Sequence, residues 1–178
     1  MLSILQFIVD IIAGLLGGVL LLRFWTNAIR VRLPDQIRQF VHTITDWLVM
    51  PLRRIVPGTR GYDWASLIGA FLIVLVASLV LLLLPQGASG EMVLLYALHR
   101  FLNWILYGFM ALLIIEAIFS WVNPHAPLAP FVHALNQPLL RPIRRVVPPI
   151  GGIDLSVLVA LILIQILLFV LRQVFGFA

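Results

Sequence analysis

Four long apolar runs restrict what this chain can fold into more than any other feature of its sequence. They lie near Ile4–Phe24, Trp64–Leu84, Leu102–Val122 and Asp154–Leu171. A helix needs about 20 apolar residues to cross a bilayer. Only 11% of the residues are charged, against roughly 25% in soluble domains. We therefore expect an all-α membrane protein with four transmembrane helices, which leaves too little chain for a soluble catalytic domain.

The distribution of the arginines predicts how the chain is oriented in the membrane. Seven arginines lie at the end of the first run or between it and the second run, and three lie between the third and fourth, whereas Arg100 and Arg172 lie on the other side. Basic side chains are retained in the cytoplasm during insertion. Both arginine-rich loops are thus expected in the cytoplasm and both termini outside, in the inner (plasma) membrane of a bacterium. Since orientation explains the net charge of +5, no nucleic acid partner is expected.

A stretch of 24 residues occurs twice in the chain. Phe40–Asp63 aligns with Phe131–Asp154 without a gap and shares 11 identical residues with it. Each copy belongs to a larger unit that consists of a span, an amphipathic segment, a basic turn between two prolines, and a second span. This pattern predicts two parallel repeats, at residues 1–90 and 91–178, related by a pseudo-twofold axis along the membrane normal. The identical pairs are Phe40/Phe131, Val41/Val132, His42/His133, Leu48/Leu139, Pro51/Pro142, Arg53/Arg144, Arg54/Arg145, Val56/Val147, Pro57/Pro148, Gly61/Gly152 and Asp63/Asp154.

The amphipathic segments have apolar residues at helical spacing, beginning at Ile37 and at Leu128. Such helices beside membrane spans are expected to lie in the headgroup plane. A short helix packed against the bundle is the alternative. Because proline lacks an N–H group, Pro51 and Pro142 are expected to end these helices. The later prolines are expected to make the residues before them extended.

The basic turns contain the candidate binding residues. We expect these arginines at headgroup depth, where they would bind anionic lipids or a membrane protein partner. Setting the topology alone explains them equally well. Asp63 and Asp154 open the next spans and are predicted to be helix N-caps. The candidate arginines are Arg53, Arg54, Arg141, Arg144 and Arg145.

Polar and small residues inside the spans provide further candidates. Aligning the ends of the first and third spans with a two-residue gap places Arg23 opposite Glu116, and we predict an ion pair between them across the pseudo-twofold axis. In the alternative, Arg23 extends to the cytoplasmic surface and Glu116 is neutral or faces water. Gly14 and Gly18 have the GxxxG spacing that lets helices approach closely, either within the bundle or in a homodimer.

The sequence contains no recognisable catalytic or cofactor motif. Cysteine is absent, and the four histidines lie outside the middle of the spans. There is also no phosphate-binding glycine loop, nucleophile elbow or Glu-x-x-His helix. No catalytic residue, metal or cofactor is therefore expected, and an enzyme is the least favoured class.

The second copy resembles the YggT family, also called YlmG-like proteins. The resemblance rests on Ser120–Pro124 (SWVNP), Asn136–Arg145 (NQPLLRPIRR) and Gly151–Ser156 (GGIDLS). The first copy is more diverged, with Trp47–Pro51 (WLVMP) in place of the Pro-Leu-Leu-Arg-Pro run. The resemblance implies a small integral membrane protein with two such repeats, from a family without an agreed biochemical activity. Its bacterial members are associated with cell-division gene neighbourhoods and osmotic tolerance, and its plastid relatives with cytochrome assembly and nucleoid partitioning.

Two functions remain open from the sequence. The first is a non-enzymatic membrane scaffold or assembly factor, linked to cell division or to envelope or cytochrome assembly. Its arginines would act at the cytoplasmic face of the membrane. The second is a small channel or transporter for an ion or solute, linked to osmotic tolerance. That function would require the chain to form a homo-oligomer, because four spans make a narrow bundle.

Overall fold

A computed structural model describes residues 2–56, 58, 61–86, 89–147 and 154–176. Every regular element in these ranges is a helix. Both predicted amphipathic segments and all four predicted spans are helical. The helices are α1 (Leu2–Ala28), α2 (Asp35–Ile55), α3 (Trp64–Gln86), α4 (Gly90–Val122), α5 (Ala129–Val146) and α6 (Ser156–Phe175).

Four of the described helices are long and apolar enough to cross a membrane, namely α1, α3, α4 and α6. This confirms the predicted all-α membrane fold. The third span differs from its prediction, because α4 has 33 residues and begins twelve residues before Leu102. At 1.5 Å per residue it is about 50 Å long, well beyond the hydrocarbon thickness of about 30 Å.

The chain divides into two compact units, and the division falls within α4. Residues 1–105 form most of the first unit and residues 106–176 form the second. Hence α4 contributes its first half to one unit and its second half to the other. The repeat boundary predicted at residues 90 and 91 stays a prediction.

In the first unit, α1 packs along α3, and α2 contacts both helices. The core between them is formed by Leu20, Val49, Ala65 and Ala70, all nearly inaccessible to solvent. The ring of Phe101 packs against this core and meets Phe71 edge to face. These contacts tie the first half of α4 to the first unit.

The close approach in α1 occurs at Gly17. A Cβ atom there would overlap the ring of Trp104, whereas one at Gly14 or Gly18 would meet no described atom within 4 Å. Within the first unit, the glycine contact predicted for Gly14 and Gly18 is therefore made by Gly17. A homodimer contact through Gly14 and Gly18 stays a prediction.

In the second unit, α5 packs against α6. The core is formed by Leu113, Leu140, Ala160, Ile164 and Leu168. The three residues from α6 are four apart, so they form one stripe along that helix. Much of the remaining apolar surface of α6 is exposed, as expected for a helix that faces lipid.

The amphipathic helix α2 packs against the bundle and also exposes aromatic side chains, while its predicted place in the headgroup plane stays a prediction. Along α2, Val41, Thr45 and Val49 are buried, so the helix packs against the bundle on a narrow stripe. Phe40 and Trp47 are nevertheless 57% and 61% exposed. This exposed aromatic surface is available for the headgroup region of a membrane.

The prediction that Pro51 and Pro142 end these helices is wrong. The helix α2 continues through Pro51 to Ile55, and α5 continues through Pro142 to Val146. A proline removes a single N–H from a helix, and both prolines are exposed, so water can reach the carbonyl groups left unbonded. The arginine pairs consequently lie in the last helical turns, where the helix dipole favours positive charge.

The residues before the later prolines leave the helical region, as predicted. Val56 and Val147 have φ/ψ values of −118°/87° and −114°/92°, and Val147 is extended, which agrees with the exclusion of helical backbone before a proline. Pro57 and Pro148 themselves lie outside the described residues. Each helix closes with the same bond, in which the N–H of the valine donates to the carbonyl of Leu52 or Ile143.

Candidate functional site

The same arginine–aspartate pair occurs in both units. Arg53 Nη2 lies 2.7 Å from Asp63 Oδ2 in the first unit, and Arg144 Nη2 lies 2.7 Å from Asp154 Oδ2 in the second. In each unit the arginine is in the last turn of the amphipathic helix. Asp63 directly precedes the returning span α3, and Asp154 lies two residues before the returning span α6. The pair therefore joins the end of one helix to the start of the next. One arginine of each predicted lipid-binding pair thus forms an ion pair within its own unit.

Around Asp63, the first unit has a closed cluster of charges. Arg23 Nη1 donates to Asp46 Oδ1 at 2.6 Å and to Thr45 Oγ1 at 2.5 Å, and Arg23 Nε lies 3.4 Å from Asp63 Oδ2. The Arg23 side chain is only 5% exposed, so it does not extend to the surface. With Arg53, two guanidinium groups face two carboxylates, which lessens the cost of burying each charge.

The aspartates of the first cluster stay ionised despite their surroundings. Burial acts to raise the pKa of Asp63, but hydrogen bonds from Arg53 and Ser66 and the nearby positive charges outweigh it and hold that pKa below its usual value. Asp46 behaves in the same way: burial opposes ionisation, and the Arg23 hydrogen bond and charge lower the pKa. In return, the hydrogen bond to Asp63 raises the pKa of Arg53.

The second unit has a related cluster around Glu116. His133 Nδ1 lies 2.9 Å from Glu116 Oε1, and Arg144 Nη2 lies 3.5 Å from the same oxygen. The structure gives Arg23 and Glu116 partners within their own units, because each amphipathic helix carries polar side chains to the span that precedes it in its own repeat. The predicted pair between Arg23 and Glu116 would join the two units, and it stays a prediction.

Asp154 closes the second cluster and begins the last span. Its Oδ1 accepts the backbone N–H of Ser156 at 2.9 Å, as expected of an aspartate at a helix start. Burial acts to raise its pKa, and the Ser156 N–H and Arg144 lower it further than burial raises it. Asp63 differs, because its carboxylate accepts the hydroxyl of Ser66 and two N–H groups of Arg53. The predicted N-caps are therefore also ion-pair partners.

A pocket of about 540 Å³ opens beside the second cluster. Its polar wall consists of Glu116, His133, Arg144 and Asp154, and its other walls are mostly apolar and aromatic. The Glu116 side chain is only 10% exposed, and among the described residues its Oε2 has no hydrogen-bond partner. Pockets of this size commonly hold small molecules. The apolar and aromatic lining includes Phe119, Trp121, Pro124, Pro130, Leu158 and Leu161.

The remaining predicted arginines lie apart from both clusters. Arg54, Arg141 and Arg145 are exposed, and in the described ranges of the chain none of them forms an ion pair. Over the same ranges, no three His, Asp or Glu side chains are grouped so as to hold a metal ion. The predicted set of arginines is thus divided between ion-paired and exposed members.

Two partners in these clusters are absent from the sequence predictions. Asp46 contacts Arg23, and His133 contacts Glu116. The sequence did contain a signal for the arginine–aspartate pairs, because the arginine and the aspartate are ten residues apart in both copies. It contained no such spacing signal for Asp46 or His133.

Comparison with known proteins places the chain in a family. The family model described as CCB3/YggT matches residues 2–84 and 95–175. The chain belongs to the CCB3/YggT family. The two matched segments confirm the two-repeat pattern of the sequence.

Several curated relatives are similar along nearly their whole length. The "uncharacterized protein in proC 3′region" of Vibrio alginolyticus is 32% identical over 97% of this chain and 95% of its own length. The "uncharacterized protein YggT" of Escherichia coli K12 is 32% identical over 92% of this chain and 86% of its own length. An uncharacterized protein of Pseudomonas aeruginosa is 36% identical over 90% and 84%, respectively. No solved structure matches this YggT-family chain significantly.

Proposed function

We propose that the chain is a non-enzymatic membrane scaffold or assembly factor that binds anionic lipids at the cytoplasmic face of a bacterial inner membrane. The observation that carries this proposal is the division among its arginines. Arg53 and Arg144 form ion pairs with aspartates, whereas Arg54, Arg141 and Arg145 are exposed and have no ion-pair partner among the described residues. Maintaining topology requires positive charge alone, but exposed guanidinium groups also suit lipid phosphates.

The three exposed arginines provide enough binding free energy for a measurable lipid preference. Each basic residue near an anionic surface contributes about 1 kcal/mol. If the contributions add, three residues give about 3 kcal/mol, which corresponds to roughly a hundredfold change in affinity. The exposed Phe40 and Trp47 of α2 add apolar contact with the acyl region.

The experiment uses the purified full-length chain in detergent, titrated with phosphatidylglycerol and followed by native mass spectrometry. The triple variant Arg54→Gln, Arg141→Gln, Arg145→Gln should bind phosphatidylglycerol ten- to a hundredfold more weakly. Arg172→Gln is the control, because Arg172 is also exposed but lies at the far end of α6. Unchanged affinity in a correctly folded triple variant would refute lipid binding by these arginines.

The scaffold part of the proposal requires a partner in the membrane. Crosslinking in native membranes, followed by purification of the full-length chain, should give a specific crosslinked protein. The triple arginine variant should lose that product if the same surface binds the partner. Failure to recover any specific crosslink from the wild-type chain would count against a scaffold and leave lipid binding to be judged separately.

A small channel or transporter is a second candidate, and Glu116 favours it. This carboxylate lies in a spanning helix, is buried and borders a pocket, as expected of a group that binds a passing cation. The open faces of Gly14 and Gly18 would allow the required self-association. Ion flux into liposomes containing the purified chain, abolished by Glu116→Gln, would support this candidate over the scaffold.

A further inference from the structure

The two charged clusters differ in their balance of charge. The first contains two guanidinium groups, of Arg23 and Arg53, and two carboxylates. The second also contains two carboxylates, of Glu116 and Asp154, but only one guanidinium group. With neutral histidine the second cluster therefore lacks one positive charge relative to the first.

Repeat alignment identifies the position of the missing charge. When the ends of the first and third spans are aligned with a two-residue gap, Glu116 falls at the position of Arg23. Arg23 completes the first cluster by donating to Asp46 and contacting Asp63. In the second cluster the corresponding side chain is the carboxylate of Glu116, and its Oε2 accepts no hydrogen bond from the described residues. A buried carboxylate oxygen without a donor is unfavourable and unusual.

The second cluster is also the one that borders a pocket. The pocket of about 540 Å³ has a charged wall and an otherwise mostly apolar lining. Two of its lining residues, Trp121 and Leu158, are 79% and 55% exposed. Trp121 is near the C-terminal end of α4, and Leu158 is near the N-terminal end of α6. The lining thus continues onto surface that suits acyl chains.

We propose that this pocket binds the primary ammonium group of an amphiphile, the chemistry of an ethanolamine phospholipid headgroup. The ammonium supplies the positive charge that Arg23 supplies in the first cluster, and its N–H groups supply donors for Glu116. The neighbouring Arg144 and His133 suit the phosphate of the same headgroup. The apolar lining favours a lipid over a soluble amine.

The test measures binding of three probes to the purified full-length chain by native mass spectrometry. Phosphatidylethanolamine should bind at least about tenfold more tightly than phosphatidylcholine, because the trimethylated headgroup has the same charge but no N–H donor. Phosphatidylethanolamine should also bind more tightly than soluble ethanolamine, which lacks acyl chains. Equal binding of the two lipids would overturn recognition of the ammonium, and equal binding of ethanolamine would overturn the assignment to a lipid.

Two variants and a control connect the binding to the pocket. Glu116→Gln should remove the preference for phosphatidylethanolamine, while Glu91→Gln, an exposed glutamate at the start of the same helix, should retain it. Leu158→Trp places a bulky ring in the pocket from an exposed position and should weaken binding without removing a buried charge. If a folded Leu158→Trp chain and Glu116→Gln both kept the wild-type preference, the pocket would not be the site.

The outcome is separable from that of the proposed anionic-lipid function. The triple variant of Arg54, Arg141 and Arg145 should lose phosphatidylglycerol binding and keep the phosphatidylethanolamine preference, since none of these residues lines the pocket. Glu116→Gln should show the reverse. Loss of both preferences in either variant would refute two separate sites. Ion flux that depends on Glu116 without any preference between the two lipids would also overturn the assignment.

Discussion

Removing one carboxylate from each unit tests whether the charged clusters hold the helices together. Asp63→Asn and Asp154→Asn are matched changes, because the two aspartates occupy the same position in the repeat and bind equivalent arginines. They differ in burial. The Asp63 side chain is 3% exposed and the Asp154 side chain is 34% exposed.

The expected free energies follow from that difference. Asp63 is 2.7 Å from Arg53, 3.4 Å from Arg23 and 2.7 Å from the Ser66 hydroxyl, so its loss leaves positive charge buried with fewer partners. Breaking a buried pair in this way costs about 3–5 kcal/mol. Asparagine retains one accepting oxygen, which places the expected loss near 3 kcal/mol. For the more exposed Asp154 we expect about 1 kcal/mol.

The assay is equilibrium unfolding of the full-length chain in mixed detergent micelles, with sodium dodecyl sulfate as denaturant and helical circular dichroism as the readout. Asp63→Asn should reduce the free energy of unfolding by about 2 kcal/mol more than Asp154→Asn does. A loss at Asp154 equal to or greater than the loss at Asp63 would refute the argument from burial.

Further predictions concern pH and packing. Because the pKa values of Asp63 and Asp154 are held below their usual value in the folded chain, their stabilisation is complete above the unfolded-state pKa of about 4 and is lost as pH falls through the folded values. The free energy of unfolding should thus decrease as the pH falls below about 4, and it should decrease less in Asp63→Asn than in the wild-type chain. Identical pH profiles of the variant and the wild-type chain would contradict this. Gly17→Ala should destabilise the chain by about 1–3 kcal/mol, because a Cβ atom overlaps the ring of Trp104. Gly14→Ala, whose Cβ meets no described atom, should leave the thermal midpoint in detergent nearly unchanged, and equal effects of the two glycine variants would refute the packing.

The fold was predictable from the sequence wherever hydrophobicity decides the outcome. The four apolar runs give four helices able to span a membrane, and the matched segments confirm the two repeats. The extra length of α4 was not predictable from apolarity, because residues such as His99 and Arg100 interrupt the pattern. In the structure Arg100 binds Asp10 and lies over the rings of Tyr96 and Trp104, so this polar stretch remains helical.

The candidate sites were predictable only in part, because they depend on which side chains share a neighbourhood. A proline is read from sequence as a helix end, yet the exposed Pro51 is accommodated within α2. Likewise, the alignment of two spans pointed to a pair between Arg23 and Glu116, but it gave no sign that the amphipathic helices bring each of them a partner within its own unit. Arg53 and Arg54 are neighbours on a helix, so their side chains point in different directions, and only Arg53 reaches Asp63. The doubled arginine motif does not specify which of the two arginines does so.

The proposed function requires both arginine-bearing helices to lie at the cytoplasmic face of the membrane. Since the chain has no cysteine, single cysteines at Gln36, His125 and Ser89, which are all exposed, report orientation directly. A membrane-impermeant maleimide added to intact spheroplasts should label Ser89→Cys, and should label Gln36→Cys and His125→Cys only after the membrane is opened. Labelling of Gln36→Cys and His125→Cys in intact spheroplasts, with Ser89→Cys protected, would contradict the account.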